Sequence, residues 1–172
     1  PMFRRLASEA GKCFRETGQA LDRLGARAQG DYTFLETWSR HRTVMNLFDK
    51  RPTVAVDAFV APSAAVIGDV TVMDRSSIMY GTVLRGDSNK IKIGAMTNIR
   101  DNCVVQVSKP SGDGFPTSTT IGNFVSVLDG AVLSSCVIED SCLIGHRAVV
   151  LDGSLVESNS IVEAGTVVPP GR

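Results

Sequence analysis

Few residues of this 172-residue chain are of types that do chemistry readily, and their spacing narrows the options further. The cysteines Cys13, Cys103, Cys136 and Cys142 contain no Cys-x-x-Cys pair, so neither a thiolate zinc site nor a dithiol redox motif is spelled out. A chain of this length also has no need of disulfide staples, and unpaired thiols fit a reducing compartment. His41 and His146 are the only imidazoles. Two histidines so far apart cannot by themselves make a three-imidazole metal centre, and each has packing or surface exposure as its ordinary role. Charged and amide groups gather instead in two short stretches, Arg85-Gly86-Asp87 and Asn98-Ile99-Arg100-Asp101-Asn102.

The elements that must position these groups are written in a six-residue period. Aliphatic anchors recur at Val54, Val60, Val66, Val72, Ile78 and Leu84, at Ile93, Ile99 and Val105, at Ile121, Val127 and Leu133, and from Ile138 through Ile144, Val150, Val156 and Val162 to Val168. Four places after each anchor the residue is usually small, as at Ala58, Ala64, Ser76, Thr82, Thr97, Cys103, Val125, Ala131, Val137, Cys142, Ala148 and Ser154, with Lys109 the one bad exception. Neither a helix nor a two-period strand repeats in this way. A triangular solenoid does: each hexad is a short strand and a corner, three hexads close a coil, and coils stack about 4.8 Å apart. The expected fold is therefore an all-β left-handed parallel β-helix of about six coils over residues 53–172. Cys103 and Cys142 fall in the small inward set and are expected to be core thiols. The period slips after Leu84, across Arg85 to Lys90, and after Val105, through the Pro- and Gly-rich stretch from Lys109 to Thr117, which is expected to be a protruding loop.

Ahead of the repeats, Phe3, Leu6, Ala10, Cys13, Thr17, Leu21, Leu24 and Ala28 recur at helical spacing with the arginines on other faces, predicting an amphipathic helix over residues 1–30. Gly11, Gly18 and Gly25 fall seven apart, a choice that costs about 1 kcal/mol each in a helix and that a close neighbour would offset. Residues 31–52, with Trp38, His41 and Phe48, are expected to be a connector packed along the solenoid. Residues 1–52 carry 10 Lys and Arg against 6 Asp and Glu, and the remainder 8 against 12. That asymmetry is too weak for a nucleic-acid partner but lets the N-terminal helix favour lipid headgroups or an acidic surface. No apolar run is long enough to span a bilayer, so any membrane attachment is expected to be peripheral.

Hexapeptide solenoids carry several chemistries, and the fold alone selects none. Particular stretches go further: Thr17-Gly18-Gln19-Ala20-Leu21-Asp22-Arg23, Ser39-Arg40-His41-Arg42-Thr43 continuing to Lys50, Phe59-Val60-Ala61-Pro62-Ser63-Ala64, Val83-Leu84-Arg85-Gly86-Asp87 and Thr97-Asn98-Ile99-Arg100-Asp101-Asn102 resemble the gamma carbonic anhydrase subunits of mitochondrial respiratory complex I. The resemblance implies a trimer of prisms with zinc between chains, held by three histidines, two from one chain and one from its neighbour. At the corresponding positions this chain has Gln106, Asp129 and Ser134. An amide, a carboxylate and a hydroxyl make a poor zinc set, so this chain is expected to bind no metal and to be catalytically inactive. Zinc is expected only at the interface between two partner subunits. Arg85 and Asp87 match the family's interface pair, and Asn98, Arg100 and Asp101 match the surroundings of the former site. The implied function is structural: one gamma carbonic anhydrase-like member of a heterotrimer on the matrix side of the complex I membrane arm, peripheral to the mitochondrial inner membrane. The readings against it are an active carbonic anhydrase with atypical ligands, and an acyltransferase of the same fold with His146 as its base.

Overall fold

In the computed structural model the described residues are 2–30, 41–109 and 117–172. They fall into two units, divided between Arg40 and His41, which are taken separately. Trp38 and most of the expected loop after Lys109 lie outside the described residues.

The N-terminal unit contains one helix, α1, Met2–Gln29. Arg27 in its last turn faces the negative end of the helix dipole. Gly30 ends it at φ +69°, its N–H shared between the carbonyls of Ala26 and Arg27 at 3.1 and 3.3 Å. Phe14, Leu21 and Leu24 on the apolar stripe are 78%, 63% and 63% exposed. Among the described residues of its own unit, a Cβ placed on Gly11, Gly18 or Gly25 would meet nothing within 4 Å. No described helix is long and apolar enough to cross a membrane.

The second unit is a left-handed parallel β-helix of about seven turns. One face stacks Val44–Met45, the first half of Ala65–Val72, the first half of Val83–Ile93, then Val104–Gln106, Val132–Ser134, Val149–Val150 and Val167–Val168, all parallel. The second face stacks Thr53–Val54, the later halves of those two long strands, Thr119–Ile121, Val137–Ile138 and Leu155–Val156. The third runs from Phe59–Val60 through Ser77–Ile78, Asn98–Ile99, Ser126–Val127 and Leu143–Ile144 to Ile161–Val162. Every hexad anchor from Val66 to Val156 is buried, while Val54, Val60, Val162 and Val168 at the two ends are only partly so, having a coil on one side alone.

Two expectations need correction. The β-helix starts before residue 53: Val44 and Met45, placed in the connector, pair with Val66 and Ile67 and add a rung. A single pair of strand residues bounded by a turn has no second hexad to reveal it, which is why the period count fell short of the observed turns. Phe48 is not packed along the solenoid either; it is 93% exposed at φ +53°, at the tip of a turn closed by reciprocal Leu47 and Lys50 backbone bonds of 3.0 Å. His41 does pack, its Nε2 lying 2.9 Å from the Ala64 carbonyl.

The period also slips a third time, by one residue. Leu133 and Ile138 are five apart, so the buried corner residue is Cys136, and Val137 is a strand residue turned outward. All three slips fall at the same corner, between the first and second faces, because each register shift separates those faces while leaving the other corners in step.

Candidate functional site

The outward row after the first-face anchors sets Arg85 beside Gln106 and Gln106 beside Ser134 on three consecutive coils. Gln106 Nε2 is 3.5 Å from Ser134 Oγ, a weak contact. Ser134 is 5% exposed, and its hydroxyl donates to Asp152 Oδ1 at 2.5 Å. The second oxygen of Asp152 accepts from Ser108 Oγ at 2.8 Å. Asp152 was missed in the sequence: it lies eighteen residues after Ser134, but the coil there is seventeen residues long, Leu133 pairing with Val150, so Asp152 sits one place past the register partner of Ser134.

Asp129 stands apart from Gln106 and Ser134, at the corner between the third and first faces. Its Oδ1 is 3.1 Å from Arg100 Nε and 3.3 Å from the Asp101 N–H, and its Oδ2 is 3.3 Å from His146 Nδ1. Asp101 in turn accepts the Tyr80 N–H at 2.9 Å. Asn98 lies on the third face, where its side-chain carbonyl accepts the Ser77 hydroxyl at 2.9 Å. The structure thus brings Gln106 and Ser134 together, gathers Arg100, Asp101 and Asp129 elsewhere, and leaves Asn98 with the latter group's coil but on the sheet beside it.

Arg85 turns to its own chain. Its guanidinium lies 2.6 Å from Asp87 Oδ2 through one terminal nitrogen, and Nε donates to the same oxygen at 2.8 Å. The other Asp87 oxygen accepts the Ser88 N–H at 2.7 Å. Burial pushes the Asp87 carboxyl upward, but the Arg85 hydrogen bond and charge and the Ser88 N–H outweigh it and hold the group below its ordinary value. Lys50 clamps the same bulge, donating to the carbonyls of Asp87 at 2.6 Å and Ser88 at 3.2 Å.

Three neutral imidazoles in a tetrahedral arrangement suit zinc; the groups present do not. Gln106 offers an amide, Ser134 a hydroxyl whose proton already goes to Asp152, and Asp129 a carboxylate whose oxygens face a permanent cation, an N–H and an imidazole. Among the described residues no three His, Cys, Asp or Glu side chains converge as a metal-holding group. Two of the thiols, Cys103 and Cys136, are no better placed as nucleophiles. Burial raises Cys103, and burial drives Cys136 up to about 12, so both stay protonated at neutral pH. What the two corners do chemically is cross-link coils by charge-assisted hydrogen bonds.

Comparison with known proteins points the same way as the hexads. The family model described as the hexapeptide repeat of succinyl-transferase matches residues 136–170. "Gamma carbonic anhydrase 1, mitochondrial" of Arabidopsis thaliana is 55% identical over 130 residues, which cover 76% of this chain and 47% of that one. "Gamma carbonic anhydrase-like 1, mitochondrial" of the same plant is 48% identical over 98 residues, covering 57% and 39%. The chain therefore spans about half or less of the length of these curated relatives. Among solved structures, a hexapeptide transferase family protein from Anaplasma phagocytophilum is 34% identical with a TM-score of 0.55, over 73% of this chain and 77% of that one. With its repeat array and these likenesses together, the chain belongs to the hexapeptide-repeat proteins, and its curated relatives are mitochondrial gamma carbonic anhydrases and gamma carbonic anhydrase-like proteins.

Proposed function

We propose that this chain is a non-catalytic, gamma carbonic anhydrase-like subunit that works by holding an assembly together. The observation that carries the reading is the state of the three positions at which the resemblance calls for histidine. Gln106, Asp129 and Ser134 are the wrong donors, and Asp129 and Ser134 are already engaged, to Arg100 and Asp152. The regular core needs none of these contacts for chemistry; they suit a scaffold.

The mitochondrial relatives support placing the chain in mitochondria. There it joins two further gamma carbonic anhydrase-like subunits in a heterotrimer on the matrix side of the complex I membrane arm and supports its assembly and stability. Arg85 and Asp87 lie in the surface it offers to a neighbouring prism, and α1, with its exposed apolar stripe and basic residues, meets membrane headgroups. Any zinc in the heterotrimer sits between the two partners. Affinity isolation of the tagged full-length protein from mitochondria of its own source tests this: two family partners and membrane-arm subunits should co-purify in fixed ratio. Recovery of the chain alone, or with proteins unrelated to complex I, rules the placement out.

A further inference from the structure

Within its own unit α1 leaves both its large apolar side chains and its glycines uncovered. The two sets fall on one line. Gly11, Phe14, Gly18, Leu21, Gly25 and Ala28 follow one another in steps of three and four along Met2–Gln29, the spacing of a seam between two helices. Small and bulky residues alternate along it, so its fit to a second copy depends on direction. Two copies laid antiparallel and centred between Gln19 and Ala20 set Phe14 opposite Gly25, Leu21 opposite Gly18 and Gly11 opposite Ala28, at both ends alike. Two parallel copies set glycine on glycine and phenylalanine on phenylalanine, which leaves voids and overpacked layers in turn. The charges choose the same direction. Arg15 and Asp22 follow Phe14 and Leu21 on one flank of the seam. In an antiparallel pair like flanks meet, and each Arg15 lies beside Asp22 of the other copy. In a parallel pair that flank meets Ala10, Thr17 and Leu24, which offer no charge.

We propose that α1 is a self-association element: two copies of this chain pair antiparallel along the seam, Phe14 and Leu21 of each filling the spaces over Gly25 and Gly18 of the other, with Arg15 and Asp22 paired across the flank. This goes beyond the reading of the chain as a subunit of one assembly and does not rest on it. Where the chain occurs once per assembly, the contact joins two assemblies. Glycine weakens a helix, and its use three times at one spacing is offset when two helix axes approach to about 8 Å, the near end of the usual range. Pairing also leaves the rest of the apolar stripe in place. Cys13, Thr17 and Leu24 lie about a third of a turn around the helix from the glycine line. A two-fold axis normal to a lipid surface turns both copies of that stripe to the same side, so the pair and a membrane contact are compatible.

The test is cross-linking of the full chain by mild oxidation, with the exposed Cys13 changed to Ser and the other three thiols left buried. Gly18 lies near the two-fold axis, so Gly18→Cys should give a disulfide-linked dimer. Gly11 lies about 25 Å from its counterpart in the antiparallel pair, so Gly11→Cys should give none. Arg15→Asp should lower the Gly18→Cys dimer about threefold or more, and adding Asp22→Arg should restore it. Gly18→Leu, made without the new thiol, favours the isolated helix and should nevertheless reduce the sedimenting mass of the chain. Equal cross-linking at positions 11 and 18, or a charge exchange that restores nothing, overturns the inference. So does a Gly18→Cys chain that forms no dimer while Gly18→Leu binds phosphatidylglycerol vesicles more tightly than the wild type, since the seam is then covered by lipid.

Discussion

At the scale of single residues, the side chains that carry the family resemblance are paired within the chain. Arg85 is the clearest, and its pair with Asp87 has a pH signature. Asp87 is held below its ordinary value of 3.8, so the stability it contributes is complete above about pH 4 and is lost as the pH falls through the lower folded-state value. In Arg85→Ala, burial of Asp87 is no longer offset by the guanidinium. The variant should lose up to about 1 kcal/mol at neutral pH, the scale of a partly exposed pair. That difference should shrink toward zero in acid, where both proteins protonate Asp87. Urea titrations at pH 7 and at successively lower pH below 3.8 measure it. A difference independent of pH would show that Arg85 acts through packing alone. The sequence displayed Arg85 and Asp87 as a candidate pair, and it showed that Gln106, Asp129 and Ser134 are not histidines. It did not show Asp152 behind Ser134 or Arg100 across Asp129, because which polar residues share a corner depends on the lengths of the loops between coils.

At the scale of the elements, the small residues of the repeat turn out to be donors as well as space-savers. Ser76 Oγ donates to the Gly94 carbonyl at 2.6 Å, Thr82 Oγ1 to Arg100 at 2.6 Å and Thr97 Oγ1 to Gly122 at 2.7 Å, each reaching the next coil. Cys103 and Cys142 take the same role with their thiols, 3.1 Å from the carbonyls of Leu128 and Glu157. Glycines complete the stacking: a Cβ on Gly94 would come within 2.4 Å of the Gly122 backbone. Thr97→Val, nearly isosteric and fully inside, should therefore cost about 1–3 kcal/mol by leaving a buried carbonyl without its donor. Thr120→Val, on the outward side of the neighbouring face, should stay within about 0.5 kcal/mol. Urea midpoints of the two variants decide it, and equal losses would mean that the hydroxyl column does not stitch the coils. The anchors and the small column were legible because burial of one residue in six leaves a period that survives two insertions. The shift at Ser134 to Cys136 was less so: Ser135 and Cys136 are both small, and Val137 is as good an aliphatic as any, so only the register shows which one lies inside.

At the scale of the whole molecule, a regular prism concentrates its departures from regularity on one corner. The turn at Leu47 to Lys50 and the Asp87 bulge both interrupt the passage from first to second face, and Lys50 ties the turn to the bulge. Repeat folds commonly place insertions on the side that meets a partner. The remaining corners repeat every coil and carry the stacking. Under the proposed function a chain built in this way serves an assembly by shape and contact, with Ser134 and Asp129 given over to contacts within the chain. In the proposed heterotrimer a zinc site of the family type draws donors from two adjacent prisms, and one copy of this chain would touch two of the three interfaces. Counting zinc in the intact native heterotrimer tests that most directly. At most about one zinc per heterotrimer is expected, at the interface this chain does not touch. Two or more, together with carbon dioxide hydration that falls when Asp129 is changed to Asn, would contradict the assignment.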